Sequence, residues 1–287
     1  MAKQKSKNRK TDKKRKISGA RIIGALLVCC VIFIAAAEGL GYDPLNSIKE
    51  RLDDTLSSDV SDELTVSFID VGQGDCIYIS TGDENMLIDC GEASEADRVA
   101  AYLEELGVSS IDYVVATHPH SDHMGGMSEI VLNYEIGEMI MPHLDDSDIP
   151  TTRYFEKFLD ACEEKDLQVT EAQLGRVISL GDAEAEIIAP ISEDYSGANN
   201  YSVGIILTHG SNSFLFTGDA EELAESEMLE SGKLSHVRVY KVNHHGSDTS
   251  SSEEFLEAIS PEYAVIMCGD GNSYGHPHEE VLERHSE

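Results

Sequence analysis

Tryptophan is absent from the 287 residues, which by itself excludes nothing. The missing cysteine patterns say more. The chain has six cysteines but no CxxC pair, which argues against a thiolate zinc site. Cys29 and Cys30 lie inside an apolar segment, Cys76, Cys90 and Cys268 in strand-like apolar runs, and Cys162 in a helical pattern. Those are places for small buried hydrophobes rather than for a disulfide framework. Leu27-Val28-Cys29 also lacks the small residue that precedes a lipidated cysteine.

Positive charge is missing from most of the chain. Residues 1–21 hold ten Lys or Arg and one acid, and beyond Arg21 only 11 basic residues face 53 acidic ones, a formal charge of −42. A field of that sign repels polyanions, although salt screens it within roughly 10 Å. It argues against a broad nucleic-acid-binding surface and leaves room for a local, metal-lined cleft. Sustained apolar runs are missing too, with one exception. Residues 22–37 are sixteen uncharged residues, just short of the roughly 17–25 that span a bilayer and just beyond the roughly 7–15 of a signal-peptide core. Arg21 can snorkel, and Gly39, Leu40 and Tyr42 can extend the span, which makes an anchor; alternatively Ala35, Ala36 and Ala37 mark a cleavage site. Both readings put the basic tail in the cytoplasm and everything after Tyr42 outside, as a cell-membrane or secreted protein. The expected organisation is a basic cytoplasmic tail (1–21), a transmembrane anchor or signal peptide (22–42), a polar linker (43–62) and a hydrolytic domain (63–287). There is no repeat of fixed short period.

Within the domain, short strand-like runs at residues 64–69, 76–79 and 86–88 are separated by turns containing Gly72, Gly74 and Gly82. Residues 95–106 carry apolar side chains at helical spacing and end at Gly107. Strands follow at 111–117, 177–180, 185–188, 202–208, 214–217, 237–242 and 263–268, and helices at 128–134, 154–162, 220–229, 253–259 and 279–284. Clusters of antiparallel strands with helices between them predict a layered α/β domain of two sheets covered by helices.

The chemistry is concentrated in Ala116-Thr117-His118-Pro119-His120-Ser121-Asp122-His123-Met124-Gly125-Gly126. Three imidazoles and a carboxylate fall within six residues after an apolar strand, whose end fixes the backbone while the loop turns the donors toward one point. Alternate residues His118 and His120 can face one metal ion, and Asp122 and His123 a second about 3.5–4 Å away. Such a site needs a shared carboxylate and a closing ligand. Asp219, at the end of the run Phe214-Leu215-Phe216-Thr217-Gly218, supplies the first, unless it only caps the following helix. The pair His244-His245, after Tyr240-Lys241-Val242-Asn243, supplies the second.

These blocks, in this order, resemble the metallo-β-lactamase fold superfamily, of which HxHxDH is highly characteristic. Asp70-Val71-Gly72-Gln73-Gly74-Asp75, Asn199-Asn200-Tyr201-Ser202, Thr217-Gly218-Asp219, His244-His245-Gly246-Ser247 and Tyr274-Gly275-His276-Pro277 together resemble the extracellular hydrolase domain of the ComEC family of DNA-uptake proteins. The resemblance covers residue 63 to the C-terminus. It implies a four-layer αββα sandwich with two divalent ions, Zn²⁺ or Mn²⁺, at one edge between the sheets. His118 and His120 would hold one ion and Asp122 and His123 the other, with Asp219 between them and His245 as the ligand from the His pair. Asp89 matches the acid that orients a metal-bound His. Asn199, Asn200 and Ser202 occupy the stretch where many relatives carry a third ligand His. The expected activity is hydrolysis of a phosphodiester in DNA, a nucleotide or an envelope polymer, with membrane attachment through residues 22–42. In it the ions would lower the pKa of a water and clamp the scissile group. Asp122 or Asp219 would accept the proton of that water, while His244 and His276 hold substrate or protonate the leaving oxygen. Ser247, Thr249 and Ser250 are candidates for bonding phosphate oxygens. A non-catalytic metal-binding assembly module is the alternative, and six candidate ligands in order argue against it. His278 reads as the start of the last helix.

Overall fold

The computed structural model describes residues 63–145 and 148–285; the basic tail, the apolar segment and the linker lie outside the described residues. Twelve strands among the described residues form two six-stranded sheets. The first runs β1 (Thr65–Phe68), β2 (Ile77–Ser80), β3 (Asn85–Ile88), β4 (Ser110–Val115), β5 (Glu135–Met141), β6 (Val169–Glu171), in spatial as in chain order. The second comprises β7 (Val177–Leu180), β8 (Ala183–Ala189), β9 (Gly204–His209), β10 (Asn212–Phe216), β11 (Val239–Lys241) and β12 (Tyr263–Val265), and its spatial order is β12-β11-β10-β9-β8-β7.

The sheets are mixed rather than antiparallel throughout, and the connections explain why. Strands joined without an intervening α-helix pair antiparallel (β1–β2–β3 and β7–β8–β9–β10), β8 and β9 being linked by the longer loop 190–203. Where a helix intervenes the next strand returns parallel, because a crossover is needed to bring the chain back to the same end. Thus α1 (Ala96–Glu105), α2 (Ser121–Met124), α3 (Met127–Asn133) and α4 (Arg153–Lys165) connect the parallel β3–β4–β5–β6. Helices α5 (Glu222–Glu230) and α6 (Glu253–Ile259) do the same for β10–β11–β12, and α7 (Glu279–Arg284) follows. Strands β5 and β6 are absent from the sequence expectation. Glu135 and Glu138 interrupt the apolar pattern of the first, and the second has only three residues, Val-Thr-Glu.

Alternation along the strands divides the apolar side chains among three interfaces. Ile77, Ile79, Met86, Ile88 and Val115 point from the first sheet toward Ile178, Leu180, Ile187, Ile205, Leu207 and Phe216 of the second. Tyr78, Leu87 and Val114, one residue out of phase, point the other way and pack under Val99 and Leu103 of α1, Ile130 of α3 and Phe158 of α4. Leu215, Val237 and Tyr240 pack under Ala224 and Met228 of α5 and Phe255 and Ile259 of α6. Three apolar interfaces make four layers, helix–sheet–sheet–helix. The carboxyl ends of β3, β4, β10 and β11 lie at one edge of this sandwich, and the segments leaving them carry nearly every chemical group singled out above.

Candidate metal centre

Asp89 follows β3 in a left-handed conformation (φ 57°). That turn brings its carboxylate under the loop leaving β4. Oδ1 accepts the Thr117 amide (2.8 Å), and Oδ2 accepts the Thr117 hydroxyl (2.6 Å) and lies 2.7 Å from His123 Nδ1. An imidazole that donates its Nδ1 proton to Asp89 presents an Nε2 lone pair on its far side. That Nε2 faces His245 Nε2 at 3.2 Å and Asp219 Oδ1 at 3.2 Å. His245 is oriented in the same manner, with Nδ1 donating to the Met267 carbonyl at 2.8 Å. Its Nε2 stands 3.3 Å from Asp122 Oδ2 and 3.3 Å from Asp219 Oδ2.

On the other side, His118 Nε2 lies 3.9 Å from Asp219 Oδ2 and 3.0 Å from His120 Nδ1. His118 is fully buried, whereas His120 is exposed to the cleft. His118 Nδ1 is 3.2 Å from the Thr117 hydroxyl and 3.3 Å from the Ser202 hydroxyl, which also accepts the Asp219 amide at 3.0 Å. Asp219 is therefore shared between the His118 side and the His123–His245 side. It does not cap the next helix, whose N-cap residue is Glu221.

Two glycines make these approaches possible. A Cβ on Gly74 (φ +125°) would lie 2.0 Å from the Asp122 carbonyl, so only glycine lets the residue 72–75 loop reach the HxHxDH segment. One on Gly218 (φ +52°) would lie 2.9 Å from both the Ser202 and Thr117 hydroxyls, against which Asp219 is seated. The histidine pair is held in an unusual backbone as well. His244 and His245 have φ of 46° and 56°, a conformation that persists only where surroundings over-determine it. Asn243 provides that anchoring. It takes the Thr217 hydroxyl on its side-chain oxygen, gives its side-chain amide to buried Glu225 (2.8 Å) and gives its backbone amide to Tyr240 (2.9 Å).

Sequence reading missed Asp75, Lys241 and Glu225. Asp75, Asp219, His123 and His245 each offer a ligand atom within 4.8 Å of the others, and all four are buried. Lys241 is fully buried, with Nζ 2.5 Å from Asp75 Oδ2, 3.1 Å from the Gly218 carbonyl and 3.8 Å from Asp219 Oδ1. A lysine between the apolar residues Val239, Tyr240 and Val242 was the available signal, since a buried cation demands a buried anion.

The donor set fits a divalent cation. Asp75 Oδ1 and Asp219 Oδ1 are buried with no hydrogen-bond partner. His245 Nδ1, 3.4 Å from the first, gives its proton to Met267, and His123 Nε2, 3.2 Å from the second, is the ring nitrogen left without a proton by the bond to Asp89. Without a cation that crowding is relieved by protons. Burial works against charge on His123, but Asp219 and Asp89 hold its pKa well above the ordinary value. His245 is likewise raised against its burial by Asp219, Asp122 and Asp75. Asp219 is lowered, its burial outweighed by His123 and His245. Burial and the neighbouring His123 push His118 well down. The donors are imidazole nitrogen and carboxylate oxygen, with no thiolate, a set that suits a divalent cation.

The remaining candidates divide. His244 stands at the cleft, 3.8 Å from Asp219 Oδ2, with Nδ1 3.1 Å from the Thr249 hydroxyl. His276 is partly buried, its ring 5.5 Å from His244. Asn199 bonds Glu221 (3.1 Å) and approaches His244 (3.5 Å). Asn200 accepts the Glu221 and Ala224 amides at the start of α5, so it organises that helix rather than the metal donors. Ser250 does not face the cleft: it is buried, and its hydroxyl bonds the Asn243 and Ser247 carbonyls. Ser247 is also buried and bonds Thr249 (3.0 Å), leaving Thr249 as the member of that trio in contact with a cleft residue. His278 is the N-cap residue of α7 and accepts the Asp248 amide at 2.9 Å.

Comparison with known proteins agrees with this architecture. Residues 69–270 match the family model described as the metallo-beta-lactamase superfamily. ComE operon protein 3 of Bacillus subtilis is 29% identical over 79% of this chain and 31% of its own length. Competence protein ComA of Neisseria gonorrhoeae is 27% identical over 90% of this chain and 35% of its own. The chain thus spans about a third of the length of these relatives. The crystal structure of the metallo-beta-lactamase fold protein YhfI from Bacillus subtilis superimposes with a TM-score of 0.50 at 12% identity, over 77% of this chain and 93% of that one. With the layered sheets and the donor cluster at their edge, these matches place the chain in the metallo-beta-lactamase superfamily, a fold of metal-dependent hydrolases.

Proposed function

We propose that this chain is a two-metal phosphodiesterase acting outside the membrane, with nucleic acid as its substrate class. The observation that carries the reading is the position of Asp219, whose carboxylate stands between His118 on one side and His123 and His245 on the other. His118, His120 and Asp219 would hold one ion; Asp219, Asp122, His123 and His245, with Asp75 behind them, would hold the second. Bound there, divalent ions supply an activated water and neutralise charge on a phosphoryl group.

The chain's own residues provide the remainder. Burial raises the pKa of Asp122, but the His245 hydrogen bond and nearby His123 outweigh it and keep the carboxylate ionised, a hydrogen-bond acceptor at the cleft. Burial and the neighbouring His244 and His245 bring His276 down to about 4, so at neutral pH it is uncharged and can orient a substrate oxygen by hydrogen bonding. The cleft, a cavity of about 380 Å³ bordered by His120, Asp122, His244 and Tyr274, accommodates a nucleotide-sized group. The substrate class is supported by the five-motif resemblance to the ComEC family and by the competence-protein relative.

The test uses the full chain purified with Mn²⁺ or Zn²⁺, assayed on single-stranded DNA and bis(p-nitrophenyl) phosphate, with His120→Ala as control. Metal-dependent loss of both substrates, abolished by the substitution and by chelation, is the expected result. Turnover of the small ester alone would redirect the reading to a nucleotide or an envelope polymer. Metal binding with no turnover of either would replace it with a non-catalytic module.

A further inference from the structure

We propose that Tyr274, backed by His276, is a stacking platform for an unpaired nucleobase beside the metal cluster; this rests on the phosphodiesterase reading above. Tyr274 is 63% exposed although its loop is tightly held. Its ring lies nearly parallel to that of His276, with centroids 5.6 Å apart and planes 24° from parallel. One face is thus occupied and the other is open. His276 in turn lies 6.3 Å from the ring of His245, so Tyr274 stands two rings out from a metal-facing imidazole.

The loop is rigid for a reason visible in Asn272. Its side-chain oxygen accepts the Tyr274 and His276 amides (3.1 Å each), and its side-chain amide bonds the Gly269 and His276 carbonyls (2.9 and 2.6 Å). An aromatic side chain pre-positioned in this way loses little entropy on binding. The second observation is what the cleft lacks. No lysine or arginine lines the cavity to which Tyr274 contributes. A nucleic acid entering it finds no lysine or arginine within the cavity itself, since Arg153 and Lys157 line an adjoining pocket that shares Tyr154, and the net charge of the domain repels the strand. Within the cavity and away from the metal donors, the open aromatic face is a group positioned to offset that repulsion. Every base has a π-face, so recognition is indifferent to base identity. A base inside a duplex has both faces covered, so the platform selects single strands or frayed ends.

The experiment measures KM and kcat of the full chain on a single-stranded oligonucleotide and on a strand of equal length built from abasic sites. Tyr274→Leu is expected to raise KM for the base-bearing strand about 5- to 150-fold, the range that base–aromatic stacking supports, with a smaller effect on kcat. Tyr274→Phe, which keeps the ring, restores the affinity, and the abasic strand does not distinguish Tyr274→Leu from the native residue. A binding readout without turnover comes from Tyr274→Trp combined with His120→Ala. The chain has no other tryptophan, so quenching by the base-bearing strand alone reports stacking directly. Equal KM for Tyr274→Leu and the native chain on the base-bearing strand would overturn the platform while leaving the phosphodiesterase reading intact. So would an equal loss on the abasic strand, which would assign the ring to sugar or backbone. If the native chain cleaves no phosphodiester, both fall together.

Discussion

Around His123 and His245 each imidazole donates its Nδ1 proton to a fixed acceptor, Asp89 in one case and the Met267 carbonyl in the other. Around His118 the facing groups are the hydroxyls of Thr117 and Ser202, and His120 lies exposed. The Thr117 proton goes to Asp89, so toward His118 that oxygen offers only lone pairs. One side of the site thus has buried carboxylates and two oriented nitrogens, while the other borrows Asp219 and relies on weaker hydroxyl contacts. A donor that must be oriented at the moment of binding costs affinity, so the two sides should hold metal unequally, the His123–His245 side more tightly.

The comparison can be broken most completely at the shared carboxylate. Asp219→Asn should remove metal from both sides and lower phosphodiester turnover by more than the roughly 100-fold that outer orienting groups cost; elemental analysis and steady-state rates check it. Next is Lys241. Lys241→Met leaves Asp75 buried without its cation and should destabilise the chain by about 3–5 kcal/mol, with Asp75→Asn in the same chain recovering much of it; urea denaturation measures both. Asp89→Asn should weaken metal binding on the His123 side by roughly 10–100-fold and affect the His118 side less, through Thr117 alone, read by calorimetric titration. Ser202→Ala, which removes a hydroxyl facing His118 and the acceptor of the Asp219 amide, should cost about 1 kcal/mol in metal binding, more at the His118 side than at the tighter event.

The smallest effect is in pH. The folded pKa values of His123 and His245 lie above that of an unfolded histidine. The stability they contribute to chelator-treated protein is therefore complete below about pH 6.5 and is lost as pH rises through their folded values. His118, lowered instead, has finished titrating in both states by the time pH is well above 6.5 and does not alter that trend. The Tm of chelated protein should fall between pH 6.5 and 8. Metal replaces those protons, so the loaded protein should not show the decline.

What the sequence made legible was what is local. His118, His120, Asp122 and His123 sit in six residues, and short apolar runs bounded by turns mark β2, β3 and β4. What it concealed depends on distant partners. Asp75 and Lys241 meet across 166 positions, and separately they look like a turn aspartate and a strand lysine. Glu225 reads as one more acid on a helix, yet it is fully buried and receives the Ser251 and Ser252 amides and Asn243. Ser250 reads as a polar loop residue beside the histidine pair, and only the turn through left-handed His244 and His245 shows that its hydroxyl folds inward. Strand β5 was hidden because Glu135 and Glu138 break the apolar pattern of its first half, which is not fully buried.

The most direct test of the unequal-sided site is a stepwise calorimetric titration of Mn²⁺ into the chelator-stripped full chain, repeated with Asp89→Asn and with His120→Ala. The account predicts two binding events of different affinity, with Asp89→Asn weakening the tighter and His120→Ala removing the weaker. A single event, or equal losses at both steps in either variant, would contradict it.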